Sequence, residues 1–127
     1  MAVQLNHTIV PARDDEETAR FLTEVLGLAD PVRNEPFLVV RLSNGVALDV
    51  LGTGGPVPTG HYAFLVDDEE FDAILGRVEE RGLTYWADPF HRHAGRVNDW
   101  SGGRGAYFED PSGHNLEIMT RASDDSR

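Results

Sequence analysis

Two histidines and two acidic residues stand at matching positions of a sequence repeat in this 127-residue chain. His7 and His61 each open a short apolar segment, and Asp49 and Glu117 each follow a turn glycine by four residues. Two neutral imidazoles and one carboxylate suit a divalent first-row metal ion. As a facial triad they leave coordination positions open for substrate and dioxygen. The spacing alone does not choose among Mn, Fe, Co, Ni and Zn.

Asp49 leaves two interpretations open. As a fourth ligand it would reduce the number of open positions on the metal and favour Lewis-acid chemistry over oxygen activation. As an exposed or hairpin-stabilising residue it would leave the triad intact. Because aspartate is one methylene shorter than glutamate, we predict that Asp49 lies near the metal without coordinating it and contacts the substrate.

A second group of chemically capable side chains lies between Gly82 and Ala106. Histidine suits proton transfer near neutral pH, so His91 and His93 are candidates for the catalytic acid or base. Tryptophan suits stacking on a planar ligand, and arginine suits the polarisation of a phenolate or carbonyl oxygen. We therefore predict that this segment forms the substrate wall, with aromatic and basic lining residues drawn from it and from the strand of His61: Trp86, Phe90, Trp100, Arg104 and Tyr62.

The elements that position these residues occur twice along the chain. Each histidine strand is followed by an acidic helix start, Asp14 to Glu17 or Asp67 to Glu70, and then by apolar residues at helical spacing that end at Gly27 or Gly82. A hairpin completes each copy. Its strands are predicted at residues 37–42 and 46–51 in the first copy, and at 106–109 and 115–120 in the second.

The repeat also predicts the domain organisation. A Gly- and Pro-rich segment, about residues 53–59, links module one (1–52) to module two (60–121), and a polar tail covers 122–127. A unit of about 55–60 residues buries too little surface to be stable alone. We therefore predict a single domain, residues 1–127, in which the modules pack together or exchange places with those of a second chain.

Composition excludes several classes of function. The chain carries 11 Lys+Arg against 22 Asp+Glu, a net charge of −11, and all its cations are arginines. Phosphate backbones would be repelled, which argues against nucleic-acid binding, and lysine Schiff-base chemistry is excluded. The absence of cysteine excludes disulfides and thiolate nucleophiles. No membrane span or basic signal-peptide start is evident, so a cytoplasmic location is expected.

The chain resembles the vicinal oxygen chelate superfamily of glyoxalases, fosfomycin-resistance transferases, bleomycin-binding proteins and extradiol dioxygenases. The resemblance runs from Asn6 to about Thr120 and implies an α+β fold of two paired βαβββ modules, often assembled as a homodimer. It also implies that His7, His61 and Glu117 bind one divalent ion. Fe(II) is the first expectation, with Mn(II), Ni(II) or Zn(II) as alternatives. Asp49 occupies the position of the glyoxalase fourth ligand.

Within the superfamily, the run from Tyr107 to Glu117 looks like the extradiol dioxygenase signature. Two positions depart from it: Ala106 replaces a bulky apolar residue, and residues 98–100 lack the usual acid/base histidine. His91 or His93 would therefore substitute, with Tyr107 hydrogen-bonding the bound substrate or peroxide. The chain is similar to the small single-domain dioxygenase of chartreusin biosynthesis, whose subgroup acts on fused aromatic polyketides.

The resemblance implies a metal-dependent dioxygenase that acts on a vicinally oxygenated aromatic substrate by oxidative C–C cleavage or rearrangement. Oxygen would be used directly or through an accessory reductase. Two other functions stay open: a non-catalytic antibiotic-binding protein, and a Lewis-acid isomerase or lyase. Two local expectations complete the analysis. His114 is expected to be exposed in its turn, and Gly102 to Gly105 to form a hinge or lid.

Overall fold

The structure, a computed structural model, describes residues 2–122. It divides into two compact units, Met1–Pro58 and Thr59–Arg127, and the boundary falls inside the predicted linker. Beyond Ala122 the predicted tail lies outside the described residues. Each unit contains one helix and one mixed sheet, as expected for an α+β fold of two repeated modules.

The first unit is a complete βαβββ module. It comprises β1 (His7–Ala12), α1 (Asp15–Leu26), β2 (Val32–Asn34), β3 (Phe37–Arg41) and β4 (Ala47–Gly52). The strands lie in the order β1-β4-β3-β2, with β1 parallel to β4 and the remaining pairs antiparallel. The predicted hairpin corresponds to β3 and β4. The short strand β2 was not predicted, because its residues are exposed and carry no alternating apolar pattern.

The second unit follows the same plan with one difference. It comprises β5 (His61–Leu65), α2 (Asp68–Glu80), β6 (Gly105–Glu109) and β7 (Asn115–Met119), and the strands lie in the order β5-β7-β6. Strand β5 is parallel to β7, as β1 is to β4. The position that β2 holds in the first unit is taken here by a single residue, Trp86, which exchanges two 2.8 Å backbone hydrogen bonds with Tyr107.

Both helices begin where the acidic runs predict. The Asp14 side chain accepts hydrogen bonds from the backbone N–H groups of Glu16 and Glu17 at the start of α1. In the second unit, Asp67 and Glu70 form a reciprocal capping box, with distances of 2.7 and 3.0 Å. Gly27 ends α1 in the left-handed conformation at φ 73°, which favours glycine because a Cβ would be strained there.

The sheet of the second unit has two chemically different faces. Alternate residues of β6 and β7, namely Ala106, Phe108, Leu116 and Ile118, are buried. The intervening positions form what we call the open face, defined by His61, Ala63, Glu117 and Tyr107 with their neighbours two residues along each strand. Over residues 2–122, no helix is long and apolar enough to cross a membrane.

Candidate functional site

Two of the predicted metal ligands meet on the open face of the second unit. His61 begins β5, and Glu117 lies at the centre of β7, directly opposite Ala63 in the parallel register. The Nε2 atom of His61 is 2.9 Å from the Oε1 atom of Glu117. Glu117 is the more enclosed of the two, with 14% of its side chain exposed against 47% for His61. A half-exposed imidazole beside a nearly buried carboxylate leaves a ligand pair that solvent or substrate can reach from one side.

The first unit repeats this register. His7 begins β1, and Asp49 on β4 lies opposite Ile9, two residues after His7. In the same way, Glu117 lies opposite Ala63, two residues after His61. In each unit the two residues therefore share one face of their sheet. The His7 ring contacts the Asn6 side chain, with Nδ1 2.8 Å from Oδ1. The Asp49 side chain makes no hydrogen bond with any of residues 2–122, whereas the Glu117 side chain contacts His61.

Tyr107 completes the row on the open face. It lies opposite Glu117 across the β6–β7 pair, only 4% exposed, with its ring 5.7 Å from that of His61. Burial, the negative charge of Glu117 and a hydrogen bond to that carboxylate all raise the pKa of the Tyr107 phenol. Tyr107 is consequently a neutral donor at physiological pH, and its hydroxyl orients the Glu117 carboxylate.

A cavity of about 290 Å³ opens beside this row, entirely within the second unit. Trp100 lies over one side, with its ring 6.2 Å from that of Tyr107 and tilted by 49°, and it is 61% exposed. Such a ring can cover a planar ligand. The lining combines open-face residues with the segment that precedes β6: Ala63, Asn98, Trp100, Ser101, Gly103, Arg104, Gly105, Tyr107, Glu117, Met119 and Arg121.

His91 packs on the same face of the sheet as Glu117, beside Asn115, which lies two residues before Glu117 on β7. Its ring stacks on Trp86 with centroids 3.7 Å apart, and its Nε2 atom lies 3.1 Å from the Oδ1 atom of Asn115. The Asn115 amide nitrogen donates to the carbonyl of Pro89, so its oxygen accepts from His91. The other ring nitrogen, Nδ1, lies 3.5 Å from the Glu109 carboxylate. Both edges of the imidazole therefore face oxygen atoms.

The turn that carries both candidate acid/base histidines is organised by Asp88. Its carboxylate accepts hydrogen bonds from the backbone N–H groups of Arg92 and His93 at 2.9 Å. Burial alone would raise the pKa of Asp88, but these backbone hydrogen bonds outweigh it and lower the pKa. His93 itself is exposed. The ionised Asp88 carboxylate therefore holds the turn in place. In this turn the His91 side chain packs against the sheet, and the His93 side chain is exposed to solvent.

The family assignment follows from a sequence comparison that covers nearly the whole chain. Residues 4–118 match the model of the Glyoxalase/Bleomycin resistance protein/Dioxygenase superfamily. The chain belongs to this superfamily. Its members typically bind a divalent metal ion. The predicted superfamily resemblance is confirmed, and so is the predicted α+β fold of two βαβββ-like modules.

Individual superfamily members are similar at the levels of sequence and structure. Oxidase ChaP-H1 is 58% identical, with 95% of this chain and 98% of that chain covered and a TM-score of 0.92. Oxidase ChaP-H2 is 55% identical over the full length of both chains, with a TM-score of 0.94. Glutathione transferase FosA of Serratia marcescens is 31% identical, covering 93% of this chain and 81% of that protein.

The superfamily implies a metal ion, and the geometry of His61 and Glu117 fits one. Two ligand atoms that bind one ion at about 2.1 Å and at a right angle are about 3.0 Å apart. The observed separation of 2.9 Å between His61 Nε2 and Glu117 Oε1 matches that value. Within either unit, no third His, Asp or Glu of the described residues joins them. The separation of His61 and Glu117 is therefore compatible with a shared metal ion, and that these residues are its ligands stays a prediction.

Some predicted substrate residues lie elsewhere. Tyr62 faces the side of the sheet opposite His61, and its ring packs edge-on against His114 at 5.3 Å. The Arg104 guanidinium points towards α2, where it donates to Asp68 and Asp72 at 3.1 and 2.7 Å. The guanidinium of Arg104 is therefore engaged by α2, and the backbone and the aliphatic part of its side chain are left to line the cavity. Phe90 is 74% exposed under the Arg92 guanidinium.

The expectation of an exposed His114 was wrong. Its side chain is 0% exposed, and its Nδ1 atom accepts a 2.9 Å hydrogen bond from the backbone N–H of Gly60. The backbone N–H of His114 donates to the Asp110 carboxylate. The turn folds back onto the start of β5, which places the ring inside. Turn position alone gave no signal of this, because the partner is 54 residues away.

Sequence reasoning also missed residues that shape the site. Asn115 and Glu109 anchor His91, and Arg121 lines the cavity beyond Met119. Asn115 and Glu109 follow the strand alternation that places Glu117 and Tyr107 on the open face, so the period of two could have identified them. Arg121 lies past the end of β7 and carried no such signal.

Proposed function

We propose that this chain is a metal-dependent dioxygenase that acts on a planar, vicinally oxygenated polycyclic aromatic substrate in aromatic polyketide metabolism. The observation that carries the proposal is the pairing of His61 with Glu117 at ligand spacing beside an aromatic-walled cavity. The similarity to the oxidases ChaP-H1 and ChaP-H2 supports an oxidative reaction.

In this proposal His7, His61 and Glu117 hold one divalent ion, Fe(II) before Mn(II), Ni(II) or Zn(II). His7 belongs to a first unit, from the same chain or from the partner chain of a homodimer. Held by these residues, a divalent ion would supply Lewis-acid and oxygen-activating chemistry and a chelation point for two adjacent substrate oxygens, which would lower the entropic cost of bringing the reactants together. Asp49 has no assigned coordination role, in keeping with its length.

The chain's own residues then position the substrate and move protons. Trp100 covers the planar ring system over the cavity, and Tyr107 holds Glu117 in its ligating orientation by donating a hydrogen bond. His91 lies beside Asn115, two residues or about 6.6 Å along β7 from Glu117. At that position its imidazole can exchange a proton with a substrate hydroxyl at the metal, while Glu109 orients the ring.

Metal analysis followed by oxygen uptake tests the proposal. Protein loaded anaerobically with Fe(II), Mn(II), Ni(II) or Zn(II) is mixed with polycyclic hydroxyquinones, and oxygen consumption and product mass are recorded. We expect one metal per site and metal-dependent oxygen uptake with incorporation of oxygen into the product. Tight binding without oxygen uptake or product, both alone and with an added reductase, would instead support a sequestering protein. A mass-neutral product would support an isomerase.

A further inference from the structure

An arginine outside the predicted site residues lines the cavity at its far end. Glu117 and Met119 point to one side of β7, and Arg121, two residues past the end of that strand, lines the same cavity. At about 3.3 Å per extended residue, the Cα atoms of Glu117 and Arg121 are at most about 13 Å apart. The cavity thus has an acidic, metal-binding end and a basic end.

The glycines before β6 make room for the Arg121 side chain. A Cβ atom on Gly102 would lie 2.9 Å from the Arg121 Nη1 atom, and a Cβ on Gly103 would lie 2.8 Å from its Cγ atom and would collide with the Thr120 hydroxyl. A side chain at either position would displace the arginine. The Gly102-Gly103 pair is therefore a cradle along which the Arg121 stem lies.

The cavity has two arginines, and their charges are used differently. The Arg104 guanidinium is committed to Asp68 and Asp72 on α2. Arg121 has no ion pair or hydrogen bond with any of residues 2–122. An exposed guanidinium beside an apolar floor of Ala63 and Met119 suits a planar ligand that carries a carboxylate or phenolate oxygen.

We propose that Arg121 is a specificity residue that binds an anionic oxygen of the substrate at the end of the ring system distal to the metal. The inference rests on the proposed function for the position of the chelated oxygens. It narrows the substrate class to fused aromatics that carry a carboxylate or an ionised phenol remote from the vicinal oxygens. In a chain of net charge −11, a local cation is needed to hold such an anion.

Binding of a matched pair of probes tests the proposal. Rhein and aloe-emodin are dihydroxyanthraquinones that differ in a single substituent, a carboxylate against a hydroxymethyl group. Their Kd values are measured by isothermal titration calorimetry on full-length protein of known metal content. We expect the wild-type chain to prefer rhein and Arg121→Gln to weaken rhein binding by about 10- to 100-fold while changing aloe-emodin binding by no more than about twofold.

Two further variants separate local recognition from general charge. Arg20→Gln removes the same charge from helix α1 in the first unit and should leave both Kd values unchanged. Arg121→Lys keeps the charge without the planar fork and should lose less of the preference than Arg121→Gln. Absence of rhein binding to the wild type, equal affinity for the two probes, or an unchanged preference in Arg121→Gln would overturn the proposal. Oxygen uptake by the wild type is a separate readout, so failure of the dioxygenase assignment would be recognised independently.

Discussion

The rings of Trp86 and His91 are stacked, with centroids 3.7 Å apart and planes 6° from parallel. His91 adopts φ 59°, a left-handed conformation that costs a non-glycine residue roughly 1–2 kcal/mol. The stacking, the Asn115 hydrogen bond and the nearby Glu109 carboxylate together hold the ring there. Trp86 also pairs with Tyr107, and Tyr107 lies opposite Glu117. The stacking on Trp86 therefore fixes the position of His91 relative to Glu117.

This arrangement distinguishes the two histidines of the segment between Gly82 and Ala106, His91 and His93. His91→Asn should lower turnover by about 10²–10⁴-fold, the usual range for loss of a general acid or base, without loss of metal. Asparagine tolerates the left-handed conformation, so the backbone should be retained. His93→Asn, at an exposed position of the same turn, is the matched control and should stay within about threefold of wild type. Equal effects of the two substitutions on turnover would contradict the assignment.

Metal content distinguishes the proposed ligands from Asp49. His7→Ala, His61→Ala and Glu117→Gln should each lower bound metal to a small fraction of one equivalent, because a triad that loses one member keeps too few ligands. Asp49→Ala should keep nearly full metal content and show only modestly lower activity. Inductively coupled plasma mass spectrometry on dialysed protein measures both. Stoichiometric metal loss in Asp49→Ala would move the chain towards the isomerases.

The sequence anticipates the parts of the site that depend on periodicity. The matched repeat positions predicted that His7, His61 and Glu117 come together, and the β5–β7 register brings two of them, His61 and Glu117, to 2.9 Å. It did not anticipate contacts made by irregular segments. The His114 side chain is buried where its turn packs back onto Gly60, and the single residue Trp86 takes the place of a strand. In turns and loops, tertiary packing of this kind overrides the local sequence pattern. Within the segment between Gly82 and Ala106, Trp86 therefore belongs to the sheet.

Tyr107→Phe tests the hydrogen bond to Glu117. Loss of the hydroxyl leaves the ring in place but frees the carboxylate to rotate, so metal affinity should fall by about 10- to 100-fold, the usual effect of removing a group that orients a ligand. Competition with a chelator of known affinity measures this. Tyr62→Phe, on the other face of the sheet, serves as the control and should leave metal affinity unchanged.

Mixing experiments test where His7 comes from in the proposed homodimer. His7→Ala and Glu117→Gln chains are each expected to be inactive. If a partner chain supplies His7, co-refolding the two variants creates one intact ligand set per heterodimer and restores up to about a quarter of wild-type activity, since half the dimers are mixed and each has one good site. If His7 acts within its own chain, the mixture stays inactive. Analytical ultracentrifugation confirms that mixed dimers have formed.

Asp110 makes the stability of the chain depend on pH in a defined direction. Its Oδ1 atom accepts backbone hydrogen bonds from Ser112 and His114 at 3.0 and 2.8 Å, but the buried Oδ2 atom has no hydrogen-bond partner among residues 2–122. Burial raises the pKa of Asp110 above its ordinary value of 3.8. The folded chain therefore keeps a proton that the unfolded chain releases. The free energy of unfolding accordingly falls as pH rises through the window above 3.8, and the ionised carboxylate destabilises the fold at pH 7.

Asp110→Asn removes this ionisation while its amide oxygen can still accept the two backbone hydrogen bonds. The unpaired amide nitrogen costs less to bury than an unpaired carboxylate oxygen, because it carries no charge. We expect the variant to be more stable than wild type at pH 7, with Tm raised by a few °C. The difference should shrink as the pH falls towards 3.8, because the folded wild-type carboxyl takes up its proton above that value. Thermal unfolding of the metal-free proteins across this range measures the effect. A variant that is less stable than wild type at pH 7 would show that the charge of Asp110, through its attraction to His114, stabilises the turn.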